Sequence, residues 1–244
     1  MSILLLTATA MEGDRLASCL ELAVEQEIFG RRWLFGQLQG IGAHLIETGL
    51  GAVNTAYALT RALEQISAPQ IVLQVGVGGA YAQSGLHIGD LALARDDSFA
   101  DLGVLTPAGW ETAEGIGIPV LKGPPPLYNT FPCAASVSEG ACEFLSSRVE
   151  GVIRLGPFAT VQEVSGTAAL GVERSRRIPG AICESMEGAA AAQICALYGI
   201  DFVQLRGISN AVEDRDRSKW DLPLACERSQ TAAQLLVEGG LLGG

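Results

Sequence analysis

Two short runs carry the residues best suited to chemistry. The first is Cys183-Glu184-Ser185-Met186-Glu187-Gly188, where a strand expected over 180–183 hands over to an alanine-rich helix expected over 188–198. Two carboxylates, Glu184 and Glu187, stand at this strand-to-helix junction, the position at which open α/β sheets collect ligands. A carboxylate there can accept hydrogen bonds from a pair of sugar hydroxyls, while Met186 supplies an apolar floor. The same acid could instead serve only its own helix N-terminus, a common use of Glu in a first turn. The second run is an apolar strand expected over 202–210, which ends in a hydroxyl and a carboxamide, Ser209-Asn210, with Arg206 shortly before them. Acids recur in the first strand-to-helix turn, Ala10-Met11-Glu12-Gly13-Asp14.

Met-Glu-Gly at one strand end and Arg-x-x-Ser-Asn at the next resemble the nucleoside phosphorylase and nucleosidase superfamily. Within it, the combination of Glu-Ser-Met-Glu-Gly-Ala-Ala (184–190), Arg-Gly-Ile-Ser-Asn (206–210) and Trp220-Asp221-Leu222 is most similar to the futalosine hydrolases. The resemblance runs over nearly the whole chain and is most specific in its C-terminal third. It implies a three-layer α/β domain with a central mixed, mostly buried sheet flanked by helices. The activity implied is hydrolysis of the N-glycosidic bond of futalosine to hypoxanthine and dehypoxanthine futalosine, in the futalosine route to menaquinone, with no metal and no cofactor. The alternatives are a methylthioadenosine/S-adenosylhomocysteine or aminodeoxyfutalosine nucleosidase, then a purine nucleoside phosphorylase, then a non-catalytic nucleoside-binding module.

Cleaving a purine N-glycosidic bond asks three things of a protein. The leaving base must be stabilised, the sugar must tolerate an oxocarbenium-like state, and a water must be aimed at the anomeric carbon. For the base the candidate is Asn210, beside Ser209. A carboxamide can donate to N7 or to a 6-oxo group, where an ionised carboxylate would repel that oxygen. Adenine-specific relatives place Asp at this position, so Asn implies hypoxanthine; an Asn that merely closes a strand into a turn is the plain alternative. Glu187, with Met186, is assigned to the ribose hydroxyls and to the positive charge that builds on the sugar. Alignment with the family's Ala-Met-Glu-Glu-Glu puts Asp14 at the water-activating acid. Asp is one methylene shorter than the usual Glu, which leaves Glu12 to share or take over the role; an acid that only caps the helix is the other possibility. Arg206 is read as neutralising a buried acid.

Gly78 and Gly79, in the run 76–81, allow a ligand close to the backbone and leave amides free to donate. Phosphorylases of the superfamily carry a phosphate-holding Ser or Thr in this loop. Here the residue is Val77, which favours water as the nucleophile and leaves a backbone-only phosphate site as the alternative. Val164 and Ser165, in the loop 161–167, correspond to the segment that lies over the purine. Futalosine also has a benzoate tail, for which Arg31, Arg32, Arg215 and Arg217 are the candidate partners. The resemblance further implies a homodimer or larger assembly in which a neighbouring loop completes the pocket.

The elements that must position these groups follow from composition and pattern. With 244 residues, 48% of them apolar, the chain is long enough for one large α/β domain over 1–244 and short for two. A net charge of −11 gives no basic footprint for nucleic acid. Six cysteines without a C-x-x-C pair, and only His44 and His87, show no metal-like spacing. They are expected to be reduced thiols of a cytoplasmic protein. No window approaches about eighteen uninterrupted apolar residues, so no membrane span is expected. The apolar start, Met1 to Thr9, lacks a basic region and reads as a first strand rather than a signal.

From there a helix is expected to about Glu25, then strands over 33–37 and 43–47 joined around Gly40 and Gly42. The Gly-x-Gly at 49–51 is not followed by a dinucleotide fingerprint and reads as a turn packing the helix expected over 55–66. Buried strands are expected over 71–75 and 91–94, with a polar turn at 97–101. Residues 106–132 are rich in proline and glycine and too long for a plain connector: a lid, a subunit contact or a disordered insert. A helix over 138–147 capped by Ser138, a strand over 151–160, a helix over 168–177 and a last helix over 221–238 covering one edge complete the expectation.

Overall fold

The uninterrupted apolar run near the N-terminus forms β1 (Ser2–Thr7), with Ile3, Leu4, Leu5 and Leu6 fully buried. A strand covered on both faces needs no polar alternation. The structure is a computed structural model that describes residues 2–242, so Met1 of the expected first strand lies outside the described residues. In chain order there follow α1 (Ala10–Cys19), β2 (Glu21–Ile28), β3 (Arg31–Leu38), β4 (Ile41–Glu47), α2 (Ala52–Leu63) and β5 (Ile71–Ala80). The middle of the chain holds β6 (Leu91–Phe99), β7 (Gly103–Thr106), β8 (Gly109–Thr112), β9 (Thr130–Pro132), α3 (Ala135–Ser146) and β10 (Ile153–Thr160). The last third holds α4 (Ala168–Arg177), β11 (Cys183–Ser185), α5 (Gly188–Tyr198), β12 (Asp201–Ala211) and α6 (Leu222–Glu238).

Apart from the β7–β8 hairpin, which is a sheet of its own, these strands make one mixed sheet flanked, among the described residues, by six helices, the three-layer α/β arrangement that the resemblance implies. Successive residues of β1 serve opposite cores, as the two-residue period of a strand requires. Leu4 and Leu6 pack in the cluster that contains Leu59 of α2 and Ala189 and Ala192 of α5. Ile3 and Leu5 pack in the one that contains Leu16 of α1, Leu145 of α3 and Leu236 of α6. Burying a leucine or isoleucine stabilises by about 1.5–3 kcal/mol, so each such alternation fixes the strand register firmly. Part of the sheet closes on itself. β5 pairs with β12, β12 with β6, β6 with β10, β10 with β11, and β11 returns antiparallel to β5. From β5 the sheet extends outward as β1, β4, β3 and β2, and β9 pairs with β6 off this path.

Several expected elements are corrected. The helix expected to about Glu25 ends at Cys19, and residues 21–28 form the outermost strand, antiparallel to β3. Glu21, Glu25 and Glu27 repeat at even spacing, which suits a solvated strand and not an amphipathic helix. The strand expected over 71–75 runs on through the glycines to Ala80, and Asp97 lies inside β6 rather than in a turn. Ser138 is buried within α3 instead of capping it, and the cap position falls on Ala134. α6 packs on β12 and β5 in the body of the sheet, not on its edge, with Asp221 as its N-cap. Residues 106–132 contribute to the β7–β8 hairpin and to β9, which pairs with β6, and none of them borders the main cavity. Among the described residues, no helix is long and apolar enough to cross a membrane.

Candidate active site

Where β1, β5, β11 and β12 end, the chain lines an open cavity of about 680 Å³, within the usual range for small-molecule sites. Glu12, Gly78, Gly79, Val164, Ser165, Met186, Glu187, Ser209 and Asn210 all border it. Asp14 and Arg206 do not.

Glu12 occupies the first turn of α1. Its Oε2 accepts from the Thr9 amide at 2.9 Å and from the Thr9 hydroxyl at 3.0 Å, and its Oε1 accepts from the Val77 amide at 3.0 Å. Burial raises its pKa above the ordinary carboxylate value, with nearby Arg206 acting in the opposite direction. Asp14 points elsewhere. Its side chain is 62% exposed and pairs with Arg32 at 2.7 Å. A helix turns by 100° per residue, so acids two positions apart face different ways. Asp14→Asn is therefore expected to leave steady-state turnover essentially unchanged. A loss of the 10²–10⁴-fold size that removal of a general base brings would restore Asp14 to the site.

Glu187 is 3% exposed. Its Oε1 accepts from the Gly51 amide at 2.9 Å, and its Oε2 accepts from Arg206 at 3.3 Å and from the Met186 amide at 3.3 Å. The turn at 49–54, expected only to pack a helix, thus supplies a donor to the site. Gly51 does so with φ at +88°, a conformation that favours glycine.

Arg206 is buried behind this wall. It donates to Gln204 Oε1 at 3.0 Å and to the Val77 carbonyl at 3.3 Å, besides Glu187. A Cβ at Gly76 would stand 2.6 Å from both Arg206 Nη1 and Glu12 Oε1, so only glycine lets these groups approach. Gln204 in turn donates to Asp97 at 2.7 Å, which also accepts from the Thr160 hydroxyl at 2.9 Å. Burial pushes Asp97 up to about 7, against the pull of those two hydrogen bonds. Three buried acids share one guanidinium. Keeping all of them ionised away from water would cost several kcal/mol per uncompensated charge, and the upward shifts at Glu12 and Asp97 express that cost.

Asn210 follows an irregularity in the β12–β5 pairing between Ile208 and Asn210, the kind of bulge that re-aims a side chain. Its Oδ1 accepts from the Ser209 hydroxyl at 2.7 Å, and its Nδ2 donates to the Ala211 carbonyl at 2.9 Å. One amide hydrogen remains for a ligand. Of the four candidate arginines only Arg215 borders the cavity, its guanidinium 4.7 Å over the Trp220 ring. Arg31 is bonded to Asn54, and Arg32 to Asp14 and Glu25, away from it. Cys226, also on the wall, is held as a thiol, pushed up to about 12 by burial with Glu12 adding to the effect. Among the described residues, no three His, Cys, Asp or Glu side chains are grouped to hold a metal ion.

Thr9, which borders the cavity, and Gly51, whose amide holds Glu187 from behind it, were not legible, because their contacts depend on chain segments brought together only by the fold. Glu184 was visible as an acid at the strand end but without a task.

The sequence matches the family described as the phosphorylase superfamily over residues 2–239. A 5'-methylthioadenosine/S-adenosylhomocysteine nucleosidase of Chromohalobacter salexigens is 29% identical over 239 residues, 97% of this chain and 94% of the relative. A futalosine hydrolase of Thermus thermophilus is 32% identical over 207 residues, 83% of this chain and 85% of the relative. Among solved structures, a 5'-methylthioadenosine/S-adenosylhomocysteine nucleosidase of Neisseria meningitidis in complex with methylthio-immucillin-A superposes with a TM-score of 0.85 at 20% identity, covering 98% and 99% of the two chains. That last likeness is one of fold.

Proposed function

Because the chain belongs to the phosphorylase superfamily, and relatives matching most of its length are nucleosidases, we propose that it hydrolyses the N-glycosidic bond of futalosine and releases hypoxanthine. The observation that carries the choice of base is the carboxamide at position 210 on the cavity wall. Its free amide hydrogen can stabilise N7 or O6 of a departing 6-oxopurine as negative charge moves onto the ring. The Ser209 hydroxyl holds the amide oxygen and so fixes which atom faces the ligand.

In this reading Glu187 accepts the ribose hydroxyls beside the apolar Met186, and its charge favours the oxocarbenium-like sugar. Glu12 takes a proton from water as the water oxygen bonds to the anomeric carbon. The bond from that carbon to the purine nitrogen breaks, its electron pair leaves with the base, and the base takes a proton from solvent while Glu12 returns its own to solvent, so that one water is divided between sugar and base. A carboxylate with a raised pKa is a stronger base for this step than an ordinary one. Arg206 holds Glu187 from behind. The Arg215–Trp220 pair is the assigned partner for the benzoate end, a flat anion suited to a guanidinium over an aromatic ring.

The test is a product assay with futalosine, with and without phosphate, against methylthioadenosine and inosine. Hypoxanthine release independent of phosphate is expected. The relative from Chromohalobacter salexigens favours a second reading, a methylthioadenosine/S-adenosylhomocysteine-type nucleosidase; adenine release exceeding hypoxanthine release selects it. Asn210→Asp is expected to shift preference toward 6-aminopurines, since a protonated carboxyl can serve N7 while its other oxygen accepts from the amino group. Unchanged hypoxanthine/adenine selectivity in that variant would remove the base assignment.

A further inference from the structure

Glu184 is the buried acid of the cavity wall that hydrolysis leaves without a part. It borders the cavity yet is only 6% exposed. In the β11–β5 pairing it stands opposite Gly79, and in the β12–β5 pairing Asn210 stands opposite the same Gly79. The two side chains therefore flank one glycine from either side of β5, each strand about 5 Å from it, and both border one cavity.

The carboxylate is rigidly held. Its Oε1 accepts from the Ser165 amide at 2.8 Å; its Oε2 accepts from the Ser165 hydroxyl at 2.6 Å and from Tyr81 at 3.0 Å. Burial, with Glu184 adding to it, pushes the Tyr81 phenol upward, so it stays a donor. Arg174 lies 3.9 Å from Oε2 and donates to the Ser165 hydroxyl at 3.1 Å, balancing the charge. Oε1 has taken one hydrogen bond and keeps capacity for a second.

We propose that Glu184 is a specificity-determining residue that accepts the N1 hydrogen of a 6-oxopurine. The proposal rests on the nucleosidase reading above. A 6-oxopurine offers a donor at N1 and an acceptor at O6; a 6-aminopurine offers an acceptor at N1 and donors on its amino group. A carboxylate has only lone pairs to offer, so it complements N1–H and repels a bare N1. Asn210, with a donor to spare, meets the oxygen side. A pair of opposite polarity across one glycine thus separates the two base classes twice, once by attraction and once by mismatch.

The experiment compares kcat/KM on inosine and adenosine, which share one sugar, in the wild type and Glu184→Gln. A hydrogen bond to a charged acceptor is worth roughly one to two powers of ten, so the 6-oxo/6-amino ratio is expected to fall by about 10- to 100-fold. A residue that only fastens the 161–167 loop through Ser165 would depress both substrates alike, and an unchanged ratio overturns the proposal. The second measurement needs no variant: inhibition of the wild type by hypoxanthine and by 1-methylhypoxanthine, which has no hydrogen on N1. Inhibition weaker by about tenfold or more for the methylated base supports the assignment, equal inhibition overturns it, and this comparison decides if Glu184→Gln does not fold. A wild type without any 6-oxo preference overturns the function proposed above together with this inference. A wild-type preference that survives in Glu184→Gln overturns this inference alone.

Discussion

Glu12→Gln is expected to lower kcat by about 10²–10⁴-fold, the contribution typical of a positioned general base, with KM much less affected. All three partners of the Glu12 carboxylate are donors: the Thr9 amide, the Thr9 hydroxyl and the Val77 amide. A glutamine can keep the Val77 contact, and the Thr9 hydroxyl can rotate to accept from the new amide. The Thr9 amide then loses its partner, a capping loss of about 0.5–2 kcal/mol that leaves the protein folded. The pH profile supplies a second sign. Only the deprotonated acid accepts a proton from water, and burial raises its pKa, so the acid limb of kcat/KM should lie above the ordinary carboxylate range and vanish in the variant. A Glu12→Gln enzyme with wild-type kcat and an unchanged acid limb would show that water is activated elsewhere.

The second large effect is at Glu187. Glu187→Gln should nearly abolish turnover, because the charge that favours the oxocarbenium-like sugar disappears along with an acceptor for its hydroxyls. The substitution is not silent for the fold. The Gly51 amide, the Met186 amide and Arg206 all donate to this side chain, so the amide nitrogen of glutamine must face a donor. Removing one partner of a buried ion pair costs about 3–5 kcal/mol, although Glu12 beside Arg206 offsets part of it. Turnover must therefore be measured well below the melting transition. A substrate lacking the ribose 2'-hydroxyl separates the two contributions. It should be poor for the wild type but cost the variant little more, because residue and hydroxyl belong to one contact. Additive losses would place Glu187 away from the ribose.

Much of the fold was legible because burial writes itself into pattern. The apolar run at Ile3–Leu6 reads as a strand covered on both faces, and α4 and α5 span 168–177 and 188–198 as the sequence indicates. The edge was harder. Residues 21–28 carry enough glutamate and leucine to suit a helix, and only their even spacing betrays the strand. Positions within the site divide similarly. Glu187 and Asn210 are marked by their motifs, but the choice between Glu12 and Asp14 is a matter of helix phase and of the Thr9 contacts. Gly51 reaches Glu187 across 136 positions of sequence, a proximity that no local signal encodes. Gly188 tells the same story: a Cβ there would fall 2.1 Å from Asp97 Oδ2 and from Gln204 Oε1, a constraint that exists only once β6 and β12 are neighbours.

The peptide groups at position 77 hold two of the charged side chains: the amide donates to Glu12 and the carbonyl accepts from Arg206. Main-chain atoms are common to every residue, so these two anchors do not depend on which side chain residue 77 bears. Sequence drift there can reshape the adjoining wall while Glu12 and Arg206 keep their moorings. Proline is the exception, since it alone would delete the amide hydrogen.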